Sequence, residues 1–278
     1  MKQIIGISVV RILVVTMMGS IWSGKFSHRA YADAPQSGVV VCPGEYPRHV
    51  QGVCMDREGN LYWSFTTELV KTDAKGQLLL QIPVANHHGD LCAVDGKIFV
   101  AVNLGKFNQP AGKADSWVYE YDAKTLELLG KHDVQEVVHG AGGIAWHDGK
   151  FLVVGGLPKG TPENYLYEYD ANWKFLNRHV LASGETYLGI QTVTFHGGHW
   201  WLGCYGTPQV LLKASEDFRF EGKQEFNGSV GLIGLSDGTF LIAQNKSQPN
   251  KHNRAKLVPA IVNSAGEMEL VSQAKTLK

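Results

Sequence analysis

Short runs of alternating bulky and polar residues recur along the chain. Tyr165 to Ala171 reads YLYEYDA and echoes Trp117 to Ala123, WVYEYDA. Each run ends in Asp-Ala and is followed by a second alternating run. Alternation with a period of two is the signature of a half-buried strand. Weaker copies lie at Leu69 to Ile82, Val210 to Phe226 and Leu257 to Val271. Measured at Asp73, Asp122, Asp170, Ser215 and Ser264, the steps are 49, 48, 45 and 49 residues. A second echo precedes each copy: QGVCMDREGNLYWSF, GDLCAVDGKIFVAV, GGIAWHDGKFLVVGG, QTVTFHGGHWWLGC and GLIGLSDGTFLIAQ. Each is an apolar strand, a tight turn containing glycine and a second apolar strand, as in a hairpin.

Two hairpins per repeat make four strands in roughly 40–50 residues, the size of a propeller blade. The pattern predicts an all-β fold, a propeller of five four-stranded blades. They run from about His49 to Val84, His88 to Val138, His139 to Thr186, Tyr187 to Phe226, and Gly228 to the C-terminus. Six blades is the alternative count, but Gly38 to Pro47 and the C-terminal tail offer little chain for a sixth. Gly38 to Cys42, GVVVC, has no hairpin partner and is assigned to the last blade, closing the ring. The inserted loops are placed at Asn103 to Ser116, Gly155 to Asn164 and Asn245 to Ala255. In each turn Asp73, Asp122 or Asp170 is expected to cap the backbone with its carboxylate.

With 278 residues, 44% of them hydrophobic, a sizeable core is available to one domain over 33–278. Lys and Arg together equal Asp and Glu at 26 each, which argues against a nucleic-acid partner. Residues 1–32 resemble a secretory signal: early Lys2 and Arg11, an apolar Ile12 to Trp22, and Ala30-Tyr31-Ala32 before the cleavage point. An uncleaved N-terminal anchor is the other reading. Either places the folded part outside the cytoplasm, periplasmic or extracellular, and no membrane span is expected in the mature chain. Cys42, Cys54, Cys92 and Cys204 could form disulfides in that compartment; three of them also sit in apolar strands, where a free thiol packs as a small hydrophobe.

Apolar strand, Asp-Gly turn, apolar strand and YDA hairpin together resemble the superfamily of gluconolactonase/regucalcin-like, NHL-repeat and streptogramin-lyase-like propellers. The resemblance covers nearly all of the mature chain and implies architecture. Those relatives usually have six or seven blades, so no catalytic residue is carried over.

Aligning the five hairpins stacks the residues that enter each innermost strand. Arg48, His87 and His139 share one row, His49 and His88 the next, and Gln51, Asp90 and Gln191 a third. In a propeller such residues converge on one channel mouth. Imidazoles are common ligands for transition metals and general acid–base groups near neutral pH. The candidate catalytic residues are therefore His49, His88 and His139, and the ligand-binding ones Arg48, Gln51, Asp90 and Gln191. A set of His49, His88, His139 and Asp90 is the candidate binding site for one divalent metal ion. Propeller polysaccharide lyases that hold metal through His and Gln are similar in residue type. The bland alternative is polar lining of a water-filled channel. Elsewhere, His147, His196 and His199 are read as exposed turn residues, and Trp200-Trp201 with Tyr205 as core or an aromatic platform. Two function classes follow: a binding propeller for a small polar molecule, a carbohydrate or a protein partner, or a metal-assisted lyase or hydrolase on such a substrate.

Overall fold

The computed structural model describes residues 38–271, so the signal-like segment lies outside the described residues. All regular structure in that range is β-strand. Among the described residues no helix is long and apolar enough to cross a membrane.

The strands are antiparallel throughout. After the short β1 (Val40–Val41), one sheet runs in order through β2 (Gly52–Met55), β3 (Leu61–Ser64), β4 (Thr66–Thr72), β5 (Leu78–Val94), β6 (Lys97–Asn103), β7 (Ser116–Asp122) and β8 (Leu128–Asp133). Its long β5 has two roles. Leu78 to Pro83 pair outward with β4, whereas Leu91 to Val94 pair with β6. Two four-stranded sheets follow: β9 (Ala141–His147), β10 (Lys150–Gly155), β11 (Asn164–Asp170) and β12 (Phe175–Leu181), then β13 (Tyr187–His196), β14 (His199–Tyr205), β15 (Val210–Ser215) and β16 (Phe220–Glu225). The last sheet holds β17 (Leu232–Gly234), β18 (Phe240–Ser247), β19 (Asn253–Val262) and, on one edge of β19, both β20 (Met268–Leu270) and β1.

That edge is where the ends of the chain meet. Val40 pairs with Leu257, and Tyr46 and Asn253 exchange backbone hydrogen bonds. The Tyr46 ring stacks on Phe65 of the first sheet, centroids 3.7 Å apart. Val40, Cys42 and Tyr46 thereby join one core cluster with Val53 and Trp63 of the first sheet and Leu241 and Leu257 of the last.

Inner strands pack in sequence: β2 on β5, β5 on β9, β9 on β13, β13 on β17, and β17 back on β2. Their backbones approach so closely that side chains do not fit at some positions. A Cβ on Gly52 would collide with Asp90, and one on Gly89 with the carbonyl of Gly142. Glycine at these two sites is required by space rather than by dihedral angle.

The repeat rests on turn chemistry. Asp73 accepts from the N–H groups of Lys75 and Gln77, Asp122 from Lys124 and Thr125, and Asp170 from Asn172 and Lys174. Ser215 Oγ accepts from Arg219 N–H. In the last repeat the cap is Asn263, accepting from Ala265 and Glu267, rather than Ser264. Asp170→Ala is expected to cost about 1 kcal/mol of stability, read as a lower urea midpoint with unchanged slope. In three of these turns a bulky residue takes the left-handed conformation: Leu126 (φ 59°), Trp173 (φ 65°) and Phe218 (φ 64°). That backbone costs about 1–2 kcal/mol. Insertion between sheets offsets it: Trp173 stacks between Phe151 of its own sheet at 4.2 Å and His132 of the preceding one at 4.4 Å, and Phe218 lies between Trp200 at 5.7 Å and His179 of the preceding sheet at 4.0 Å.

Of the expectations for single residues, core packing of the tryptophans and free cysteines are found, and those for the turn histidines and the last inserted loop are corrected. Trp200 and Trp201 are both buried core, on opposite faces of β14. Neither His147 nor His199 is a free turn residue: His147 stacks on Phe195 and pairs with Glu216 at 2.8 Å, and His199 pairs with Glu221 at 2.8 Å. His196 packs edge-on against Phe240. Strand pairing of β18 with β19 continues to Ser247 and Asn253, leaving only 248–252 as loop. All four cysteines are free, and burial pushes the thiols of Cys42 and Cys204 up to about 12.

Candidate functional site

The starts of the inner strands form one end of the ring, and there a polar cluster stands. Gln51, just ahead of β2, is buried beneath it. Its amide nitrogen lies 3.1 Å from His49 Nε2, 3.3 Å from His87 Nε2 and 2.9 Å from Thr66 Oγ1. Tyr205, at the end of β14, places its hydroxyl 3.0 Å from His49 Nε2 and 3.3 Å from Gln51 Oε1. An amide nitrogen only donates, so an imidazole nitrogen bonded to it presents its lone pair and carries its proton on Nδ1. Burial, and the Arg48 charge after it, lower the pKa of His49. Burial, then His49, lower that of His87. Burial raises the Tyr205 phenol to about 12. The cluster is a neutral, hydrogen-bonded group at neutral pH.

Two cavities flank it. On one side is a polar cleft of about 460 Å³, lined by Arg48, His49, Tyr205, Gln209, Asn227 and Asn245 among others. Arg48 is the one Lys, Arg, Asp or Glu in that lining. On the other side a cavity of about 720 Å³ is bounded by Phe107, Leu157, Lys159, Glu185 and Tyr187. Phe107 stacks on His87, centroids 6.3 Å apart. Tyr187 is 64% exposed, presenting an open aromatic face.

The other candidates do not join this cluster. His88 is fully buried: Nδ1 faces the Ala85 carbonyl at 2.6 Å and Nε2 the Tyr121 hydroxyl at 2.7 Å. Both ring nitrogens are thus committed, and burial drops its pKa to about 4. Asp90 is buried, and its carboxyl accepts from the Val193 N–H at 3.1 Å, with the N–H groups of Leu91 and Val53 close by. Burial raises its pKa, against the pull of those three donors. The Gln191 amide donates to the Leu188 carbonyl at 2.6 Å, and His139 Nδ1 meets the Gln109 carbonyl at 2.8 Å. The proposed set of His49, His88, His139 and Asp90 is therefore not gathered around one point. Among the described residues, no three His, Cys, Asp or Glu side chains form a metal-binding group. Sequence alignment missed Tyr205 and Thr66 as members and chose His88 over His87. A register shift between His88 and Leu91 in the β5–β6 pairing moves the face on which His87 emerges.

No protein-family profile matches the chain, and no curated protein sequence does. Solved structures do. The glutaminyl cyclase of Myxococcus xanthus superposes with a TM-score of 0.55 at 11% identity, covering 84% of this chain and 98% of the cyclase. The fold is a β-propeller. U3-55K superposes with a TM-score of 0.52 at 8% identity, covering 86% of this chain and 85% of its own. Identities this low show a shared propeller architecture and leave the activity to the site.

Proposed function

We propose that this propeller has five blades and binds a small, hydroxyl-rich polar ligand of the carbohydrate class at the channel mouth. The blade count rests on dividing β5 between two units, which gives five inner strands in cyclic contact. The observation that carries the ligand class is the polar cleft beside Tyr205, edged by amides, hydroxyls and one guanidinium. Amides and hydroxyls suit sugar hydroxyls, which need donors and acceptors together. The open Tyr187 face suits stacking of a sugar ring. Arg48 adds a fork for a carboxylate or sulfate, which favours acidic sugars over neutral ones. An exported location is part of this reading and rests on residues 1–32. Kinship with gluconolactonase-like or NHL propellers is likewise a proposal, resting on the repeated hairpins. Glutaminyl cyclisation belongs to the structural neighbour, and nothing in the site calls for it here.

The test is calorimetry against neutral, uronate and sulfated oligosaccharides. Binding of an acidic sugar is expected to weaken about tenfold, or roughly 1.4 kcal/mol, in Arg48→Ala. Gln209→Ala should weaken neutral and acidic sugars alike. Both residues are exposed, so melting temperatures should stay within a degree or so of the parent chain. If no sugar binds, or binding ignores both substitutions, the reading fails.

A metal-assisted lyase or hydrolase is the second reading. It is favoured by the two imidazole lone pairs that meet at Gln51.

A further inference from the structure

We propose that His49 Nε2, His87 Nε2 and Gln51 Oε1 form a site for one divalent transition-metal ion at the channel mouth. The inference deepens the reading of this mouth as a ligand site and rests on it for location, but not for chemistry.

The Gln51 amide nitrogen has two protons, yet three acceptors surround it at 2.9–3.3 Å: Thr66 Oγ1, His49 Nε2 and His87 Nε2. A second donor, the Tyr205 hydroxyl, also turns toward this group, 3.0 Å from His49 Nε2. With the Thr66 and Tyr205 hydroxyl protons the cluster is satisfied as it stands; what sets the point apart is that two imidazole nitrogens face one amide end, at 3.1 and 3.3 Å. Two imidazole lone pairs that address one position are a common basis for a transition-metal site. A half-turn of the Gln51 amide exchanges its nitrogen for its oxygen. The oxygen then joins the two imidazole nitrogens, and three neutral donors from separate places in the chain address one position.

The donors select the ion. Two imidazoles and an amide oxygen suit zinc, nickel, cobalt or copper. No carboxylate takes part, which disfavours calcium and magnesium, whose sites are built from carboxylates and carbonyls. The supports are in place for both rings: Phe107 stacks along His87, and the Tyr205 ring meets His49 edge-on at 6.3 Å. Three protein ligands leave positions open toward the cleft. A site with no negative ligand keeps the full ionic charge. It would act with Arg48 on an anionic ligand in the same cleft, and Tyr205, released from His49, could donate its proton to that ligand.

The experiment uses the whole chain, stripped with a chelator and dialysed. Titration with Zn²⁺, Ni²⁺ or Co²⁺ alone should show one ion per chain at micromolar affinity, while Mg²⁺ and Ca²⁺ should not bind. Co²⁺ should give visible absorption bands shaped by nitrogen ligands. His49→Ala and His87→Ala should each weaken binding at least tenfold, Gln51→Glu should tighten it, and His252→Ala, in the 248–252 loop, should leave it unchanged. Should His87→Ala fail to fold by circular dichroism, His87→Asn takes its place with the same expectation. Binding that is indifferent to both His49 and His87 variants would overturn the site, as would the absence of any stoichiometric transition metal. Sugar binding measured on the stripped protein keeps the two ideas apart. Sugar without metal leaves the carbohydrate reading standing and sinks this one; metal without sugar does the reverse.

Discussion

Asp90→Ala is expected to destabilise the protein by about 2–3 kcal/mol, the upper part of the range for leaving a buried hydrogen-bonding group without its partner. Its carboxyl accepts from the N–H of Val193 on β13 at 3.1 Å, with the N–H groups of Val53 and Leu91 close by, so a side chain of β5 ties two inner strands that are not sequence neighbours. Truncation leaves the Val193 N–H without its acceptor, at a cost of about 1–3 kcal/mol if water does not replace it. Asp90→Asn should fall between the two, because one oxygen can still accept while its NH₂ group faces other donors. Urea denaturation of the three proteins gives the order directly. An alanine variant within about 1 kcal/mol of the parent would mean that the carboxylate is not a structural tie.

For His88 the expected result is a pH-dependent loss. Its pKa is about 4 in the folded chain and 6.5 ordinarily, because burial excludes the charged ring. The unfolded chain therefore holds the extra proton between those values. His88 contributes its full stability above about pH 6.5 and loses it as the pH falls toward 4, where the loss levels off. Two and a half pH units correspond to about 3 kcal/mol. Asp90, whose folded pKa is raised, titrates in the opposite sense, favouring the fold at low pH and losing that as pH rises through its folded pKa. His49 and His87 act in the same sense as His88. Comparison with His88→Gln cancels what these groups contribute to both proteins. The stability difference between parent and variant should shrink by about 3 kcal/mol from pH 7 to pH 4. A difference that stays flat would mean that His88 titrates normally and is not the buried link between Ala85 and Tyr121. At pH 7, His88→Ala itself should cost about 2–4 kcal/mol, since it opens a cavity and strips a partner from Tyr121.

The architecture was legible because it depends on local chemistry repeated many times. Asp73, Asp122 and Asp170 mark turns by their own hydrogen bonds, and alternating residues mark strands whatever lies far away in the chain. The last repeat shows the limit: the step is measured at Ser264, whereas the residue that caps is its neighbour Asn263, and either type can cap until the backbone register chooses between them. The mouth was harder to read. Alignment on turns assigned Arg48, His49 and Gln51 to the right end of the ring, but rows of aligned residues assume identical registers in every blade. The shift between His88 and Leu91 breaks that assumption, turning His87 to the mouth and His88 into the core. Tyr205 belongs to a second strand and meets His49 from 156 positions away. No local pattern announces that contact. Asp90 and Gln191 looked chemical because they are polar in an apolar run, yet the backbone of the crowded inner ring consumes both.

Joining Val40 to Leu257 also imposes a calendar on folding. The sheets β9–β12 and β13–β16 each use consecutive strands and need only short loops to close. The last sheet needs a strand from the opposite end of the chain, a long-range pairing that comes late because its loop entropy is spent before any contact repays it. Until then the Asn253–Leu257 stretch of the β19 edge is bare and Phe65 awaits Tyr46. A bare edge of that kind accepts a matching strand from any chain. At high concentration during refolding, the segment bearing Val40 to Tyr46 of one molecule would then dock on β19 of another, giving swapped dimers whose two rings are each complete.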